Sequence, residues 1–294
     1  MDIKKILQQA IDLHVHIGPE IIPRKFNLPE LLKQERGKIK GIAVKNHFFP
    51  TVAMEQKTKC MLFVIHSVVL NDYVGGLNPN VIRACAELSS RPIIVWFPTI
   101  HAQNILQNQK FEIPLEWIGK ENIKKIKLQP TKNIQGINVL NEQNNISSQT
   151  VKVLKTIKKC GAILATGHLS WQESRKLVSM ANKKFGIQKI IITHPIYQKI
   201  DMPIEIQKEL VSTGALIEHC YSMYSIDKIP IAKIAAQIKD IGAKNCILSS
   251  DVGQVFSKSP SESLYDFVLL LKQEGISEQE IKIMLIDNPN KLIR

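Results

Sequence analysis

Several absences narrow this chain before any motif is considered. The five cysteines (Cys60, Cys85, Cys160, Cys220 and Cys246) form no CxxC pair, are scattered, and are odd in number. That argues against a disulfide framework and leaves buried thiols. No apolar run reaches membrane-spanning length, and the Lys-bearing start, residues 1–10, has no long apolar core of a secretion signal. The expectation is a cytoplasmic protein with no membrane partner. No GxGxxG or GxxxxGK[ST] loop follows any apolar run, which removes the usual phosphate cradle. Aromatic residues make up only 6% of the chain and do not interleave with basic segments. The net charge of +13 is therefore read as solvated helix faces such as Lys4-Lys5, Lys124-Lys125, Lys158-Lys159 and Lys183-Lys184, rather than as a nucleic-acid surface.

What is present is a regular alternation. The 294 residues, 44% hydrophobic and 22% charged, suit a single domain over 1–294 with ample core. Ile- and Val-rich runs recur over Ile11 to Ile17, Gly41 to His47, Met61 to Leu70, Pro92 to Pro98, Cys160 to His168, Lys189 to His194, Gly214 to Cys220 and Asn245 to Asp251. Polar stretches with helical spacing separate them. Such runs are the signature of parallel strands buried on both faces, and eight of them predict a (β/α)8 TIM barrel, with a doubly wound open sheet as the alternative. Asn78-Pro79 reads as an N-cap with Pro at the first helical position, and Ser277-Glu278-Gln279-Glu280 as a capping box. Ile123 to Pro130 alternates like a ninth strand, and Ile134 to Leu140 is a further extended candidate. Residues 111–145 are therefore placed in a hairpin-like excursion between strands four and five.

Polar side chains close the apolar runs. His14 and His16 stand one residue apart on the first, so both imidazoles project to one face of a strand and can meet one ion. His47, His168, His194 and Asp251 each end a run, and Glu218-His219 ends another. In a parallel barrel the C-terminal strand ends carry the active site. Burying so many imidazoles separately would demand many separate partners, whereas one metal centre accounts for them together.

The order HxH on strand one, His on strand five, His on strand six and Asp on strand eight resembles the amidohydrolase superfamily of metal-dependent hydrolases. The closing Asp287-Asn288-Pro289-Asn290-Lys291-Leu292 is similar to a segment common there. Lys45-Asn46-His47, Gly75-Gly76-Leu77-Asn78-Pro79, Trp96-Phe97-Pro98-Thr99, Thr166-Gly167-His168-Leu169-Ser170, Thr193-His194-Pro195 and Glu218-His219-Cys220-Tyr221 resemble an uncharacterised branch. The resemblance implies that His14 and His16 bind one metal and that Asp251 ligates it and acts as general base. It further implies that His168 and His194 bind a second metal or shape a mononuclear site. Imidazoles and a carboxylate suit Zn²⁺ first, with Mn²⁺ or Fe²⁺ as alternatives, and such an ion makes water acidic near neutral pH.

The chain departs from the resemblance at the bridge between metals. Strand four ends Val95-Trp96-Phe97-Pro98-Thr99, with no Lys or Glu. Lys45, His47 and Lys127 are the bridging or second-metal candidates. Lys45 also fits a partner for substrate charge or a salt-bridged barrel lysine. Arg24, His101, Glu218 and His219 are substrate-binding candidates, with at most one of Glu218 and His219 facing inward. The function implied is hydrolysis of a C–N bond in a cyclic or linear amide, on a small-molecule substrate, with a homo-oligomer left open. A phosphoesterase of the polymerase-and-histidinol-phosphatase type lacks its usual closing Asp-x-His pair here, because Asp251 is followed by Val252-Gly253. A TatD-like nuclease expects a Glu on strand four. A non-catalytic metal-binding barrel is the third alternative.

Overall fold

The computed structural model describes residues 2–20, 22–54, 62–108 and 135–294. Eight barrel strands follow chain order: β1 (Ile11–His16), β2 (Gly41–Lys45), β3 in two pieces (Phe63–Ile65 and Ser67–Val69), β4 (Ile94–Trp96), β5 (Ile163–Ala165), β6 (Ile190–Ile192), β7 (Leu216–Cys220) and β8 (Cys246–Ser249). Each pairs with its sequence neighbour in parallel, with His66 at the break inside β3. The ring is completed just past β8. His16 N donates to Val252 O at 2.8 Å, Asp251 N donates to His14 O at 2.8 Å, and Val15 bridges Val252 in parallel. All eight expected apolar runs thus supply strands.

The inner wall of the barrel is apolar at depth, with Leu13, Ala43, Ile65, Val69, Ile94, Trp96, Ile163, Ala165, Ile191 and Ile247 buried together. A larger apolar layer fills the space between the strands and the surrounding helices. Local chemistry sets the helix ends. Asn27 and Glu30, Ser170 and Glu173, and Ser277 and Glu280 form capping boxes in which the cap side chain accepts an N–H and the Glu accepts another in return. Asn78 accepts from Asn80 N at 2.9 Å ahead of Pro79–Leu88, as its sequence predicts.

Residues 97–162 connect β4 to β5. They include a helix over Gln103–Asn108, a bridge between Ala102 and Ile137, a tight Leu140–Ile146 bridge, and the helix Ser148–Cys160. Most of the excursion expected over 111–145, including the strand-like Ile123 to Pro130 segment with Lys127, falls outside the described residues. Among the described residues, no helix is long and apolar enough to cross a membrane.

A bulge in β1 decides where the first two histidines point. The register runs Asp12 to Ile42 and then Val15 to Val44, which places one extra residue in β1. Asp12 fills the gap, its Oδ1 accepting from His14 N at 3.2 Å and from Ser250 N at 3.0 Å. Leu13 therefore packs into the barrel floor, while His14 and His16 above it turn into the mouth. The extra residue breaks simple alternation between Leu13 and His14.

Candidate metal centre

Three groups converge at the barrel mouth. Asp251 Oδ1 lies 3.0 Å from His14 Nε2 and 3.1 Å from His16 Nε2. His14 Nδ1 faces Glu218 Oε2 at 3.2 Å on the opposite edge of its ring. A carboxylate there keeps the proton on Nδ1 and turns the Nε2 lone pair toward the site. The lone pairs of His14 and His16 then meet a carboxylate oxygen, an arrangement that suits a bound cation. His16 Nδ1 is buried with no partner, so its ring is free to present Nε2. Their ligand atoms lie within 4.8 Å of one another. The donor set fits a divalent ion on these grounds.

Asp251 is strained into place, with φ +50°, in the left-handed region that disfavours side chains. Gly253 two residues later makes the turn feasible: a Cβ there would stand 2.2 Å from His16 O, at φ +148°. Ser222, in the turn after β7, donates its hydroxyl to Asp251 Oδ2 at 2.6 Å. Burial alone would raise the Asp251 carboxyl, but the charge and hydrogen bonds of His14 and His16 hold it well below the usual carboxylate range. Burial likewise opposes ionisation of Glu218, yet His14 keeps its pKa lowered. Burial also works against a charged His14, which Asp251 and Glu218 nevertheless push up. His16 is driven well down by burial and the Arg24 charge, which favours a neutral imidazole.

Lys45 enters this centre from β2. Its ammonium stands 2.9 Å from His14 Nε2 and 4.3 Å from the Trp96 ring centroid. Burial lowers it to about 8, against the pull of Asp251 and Glu218. The Trp96 ring packs 4.4 Å from the His14 ring, at the end of the strand where the resemblance called for a bridging ligand.

His168 and His194 occupy the opposite wall, at the ends of β5 and β6. Their rings lie 5.1 Å apart, and His194 stacks toward His14 at 6.0 Å. Tyr197 packs against both, at 5.6 and 5.5 Å. His194 stacks on His14, but the pair does not join the His14, His16 and Asp251 cluster. Burial pushes His194 down to about 4 and His168 well below its ordinary value. Gly167, at φ +62°, lets the chain before His168 pass so close to Phe97 that a Cβ would stand 2.2 Å from its carbonyl oxygen.

The remaining candidates make contacts within the protein, and His47 also forms a second group of possible ligands with His16 and Glu20, their ligand atoms within 4.8 Å of one another. His47 Nδ1 is 2.9 Å from Thr99 Oγ1, which also accepts from Asn71 Nδ2 at 2.9 Å. With the Thr99 proton assigned to His47 Nδ1, the hydrogen of this imidazole sits on Nε2. Its ring lies 4.7 Å from that of His16. Arg24 is buried, its Nε donating to Glu20 Oε2 at 2.7 Å. His101 Nδ1 accepts from Asp72 N at 3.0 Å and its ring lies 5.0 Å from Tyr73. Glu218 is the member of its pair that faces the barrel interior. His219, on the alternate face, is fully buried with both ring nitrogens unpartnered.

Sequence reasoning does not reach Asp12, Glu20, Asn71, Ser222 or Tyr197. Weak signals exist for all but Asp12. Ser222 directly follows the Glu218 to Tyr221 run, Asn71 closes Met61 to Leu70, Tyr197 stands three residues beyond His194, and Glu20 precedes Arg24 by four.

Solved structures share this arrangement of strands. An amidohydrolase from Pseudomonas aeruginosa superposes with TM-score 0.64 at 8% identity, covering 99% of this chain and 98% of that one. The probable dipeptidase PvdM from the same organism gives 0.59 at 10% identity, covering 99% and 96%. A 2,6-dihydroxybenzoate decarboxylase from Rhizobium gives 0.54 at 10% identity, covering 96% and 97%. The fold is thus a TIM barrel like that of these proteins. Residues 9–218 match the model of a family of unknown function, DUF6282, and the chain belongs to that family. No curated protein matches the sequence.

Proposed function

We propose that this protein is a metal-dependent hydrolase acting on the C–N bond of a linear or cyclic amide in a small molecule. The observation that carries the reading is the meeting of His14 Nε2 and His16 Nε2 at one oxygen of Asp251, with Glu218 fixing the His14 ring from behind. The amidohydrolase and dipeptidase among the structural neighbours add weight to it. His14, His16 and Asp251 would hold the ion, Zn²⁺ before Mn²⁺ or Fe²⁺ from the nitrogen and oxygen donor set.

A divalent ion there supplies Lewis acidity and makes water a usable nucleophile near neutral pH. Asp251, kept ionised by its histidines, would take a proton from water and return it to the leaving nitrogen. Ser222 holds the other oxygen, so the carboxylate does not rotate between these steps. The Nε2–H of His47 is a donor for a substrate carbonyl. His168, His194 and Tyr197 form the facing wall, and their apolar ring faces exclude water from the reacting group.

The test is a hydrolysis screen of protein reconstituted with Zn²⁺ or Mn²⁺, set beside His14→Ala and Asp251→Ala. Amide turnover that is lost in both variants is the expected result. Turnover of phosphoesters without amides would transfer the assignment to a phosphoesterase.

A further inference from the structure

A cavity on the flank of the barrel takes no part in the chemistry proposed above. Its volume is about 540 Å³, within the roughly 300–1,000 Å³ of small-molecule sites. Three segments line it: the first helix, Ile3–Leu7, with the residue that follows; Gly37 and Lys38, just past the helix Leu28–Glu35; and the stretch from Lys258 into the helix Pro260–Gln273. The first two segments lead into the starts of β1 and β2, and none of His14, His16 and Asp251 lines the cavity. It is therefore separate from the barrel mouth.

Each segment brings a lysine, Lys4, Lys38 and Lys258, and the acids beside them are already engaged. Asp266 forms an ion pair with Lys258, and its Oδ2 accepts from the Tyr221 hydroxyl at 3.2 Å. Glu262 turns back to the start of its helix, where it accepts from Ser259 N at 3.0 Å. Glu35, outside the lining, accepts from Ser261 N at 3.2 Å, and burial pushes its carboxyl up, against the charged form. Lys4 and Lys38 are left. Among the described residues neither forms an ion pair, although Lys38 lies within electrostatic reach of Glu35 and Glu262. Uncommitted cations brought to one cavity from separate segments attract an anion there.

The rest of the lining suits an apolar body. Leu7 is 4% exposed, and the ring of Tyr265 packs on the core with one side toward the cavity. Gly37 stands at φ +73° with nothing within 4 Å of where a Cβ would be, so this turn leaves the space open. A phosphate monoester carries about one and a half to two negative charges near neutral pH, spread over three acceptor oxygens. Two ammonium groups from different segments can each take one of those oxygens, whereas a monocarboxylate has a single charge to share between them. We infer that the flank cavity is a second small-molecule site, which takes a phosphate monoester on Lys4 and Lys38 with its apolar body against Leu7 and Tyr265.

Phenylphosphonate at mildly alkaline pH is the probe, because its carbon–phosphorus bond survives any hydrolysis at the barrel mouth. It is titrated calorimetrically into the full chain and its variants, each checked for fold by circular dichroism. Lys4 and Lys38 are exposed, so replacing them leaves the core untouched. Wild type should bind saturably, and His16→Ala should retain that binding. The double variant Lys4→Gln/Lys38→Gln should bind at least about tenfold more weakly, the loss of a hydrogen bond to a charged group. Tyr265→Ala should weaken phenylphosphonate more than inorganic phosphate, and benzoate should bind wild type less tightly than phenylphosphonate does. Lys183→Gln/Lys184→Gln, a lysine pair on the helix Trp171–Phe185, should behave as wild type. No saturable binding in wild type, or undiminished binding without Lys4 and Lys38, would overturn the proposal. So would binding lost in His16→Ala, which would put the phosphonate at the barrel mouth, or an equal loss in the Lys183 and Lys184 variant, which would reduce it to attraction by net charge. Tighter binding of benzoate would overturn the phosphate assignment.

Discussion

On the β1–β8 side of the mouth, His14 and Asp251 each have a hydrogen-bonded brace, whereas His16 Nδ1 has none. Asp12 braces the bulge beneath His14, Glu218 holds its ring, and Ser222 holds Asp251. On the β5–β6 side, His168 and His194 are positioned by ring contacts with each other and with Tyr197, and His194 Nδ1 is buried without a hydrogen-bond partner. Hydrogen bonds fix the direction of a lone pair to within a narrow cone, as metal ligation demands. Ring packing fixes a surface but leaves the nitrogen less constrained. Under the proposed function the first side would hold an ion, and the second would enclose what lies against it.

The sharpest way to break this comparison is to remove one histidine from each side. His16→Ala and Asp251→Ala should each lower kcat/KM by about 10³-fold or more and empty the site by elemental analysis. His168→Ala should slow turnover by about 10²-fold with metal content unchanged, the low end for a single acid–base group. A metal-free but folded His168→Ala would show that the β5–β6 side is a ligand wall after all.

Acid should next reveal the less tightly bonded side. His194 and His219 both have pKa values pushed down to about 4 by burial. For each, the unfolded chain binds a proton below about 6.5 while the folded chain does not until about 4. Stability of the apo protein should therefore be complete above about 6.5 and fall as the pH drops toward 4, by up to about 3 kcal/mol for each group. Thermal melts across this window measure the slope, and His219→Phe should flatten it. A melt that is independent of pH from 7 to 4 would contradict the buried neutral state of both rings.

Two smaller effects sharpen the β1–β8 side. Glu218→Gln keeps the shape of the side chain but loses its charge, and should weaken metal affinity by about 10–100-fold in calorimetry. Gly253→Ala brings a Cβ to 2.2 Å of His16 O and should cost about 1–3 kcal/mol in chemical denaturation. Gly37→Ala, at φ +73° in open space, should cost less. Equal costs would mean that the turn at Gly253 is not under steric constraint.

Much of this architecture is legible in the chain because it follows from burial. Eight apolar runs are eight strands, and polar residues placed just beyond them, His47, His168, His194 and Asp251, fall at the mouth as a parallel barrel requires. The bulge in β1 is not legible, because it depends on Asp12 meeting Ser250 from the far end of the chain. Arg24 reads in sequence as a loop arginine facing solvent or substrate, whereas the fold buries it against Glu20 through a turn that no local pattern announces. The inward choice of Glu218 over His219 follows from the register of β7 against β8, with Glu218 opposite Ile247. Pairings of this kind join segments distant in sequence, and residue type alone does not encode them.

The central claim is that His14, His16 and Asp251 form a cation site. Calorimetric titration of Mn²⁺ into apo wild type and into His16→Ala, both shown to be folded, tests it most directly. The account predicts saturable binding in wild type that falls by more than about tenfold in affinity in the variant. Equal binding in the two proteins, or none in wild type, would contradict it.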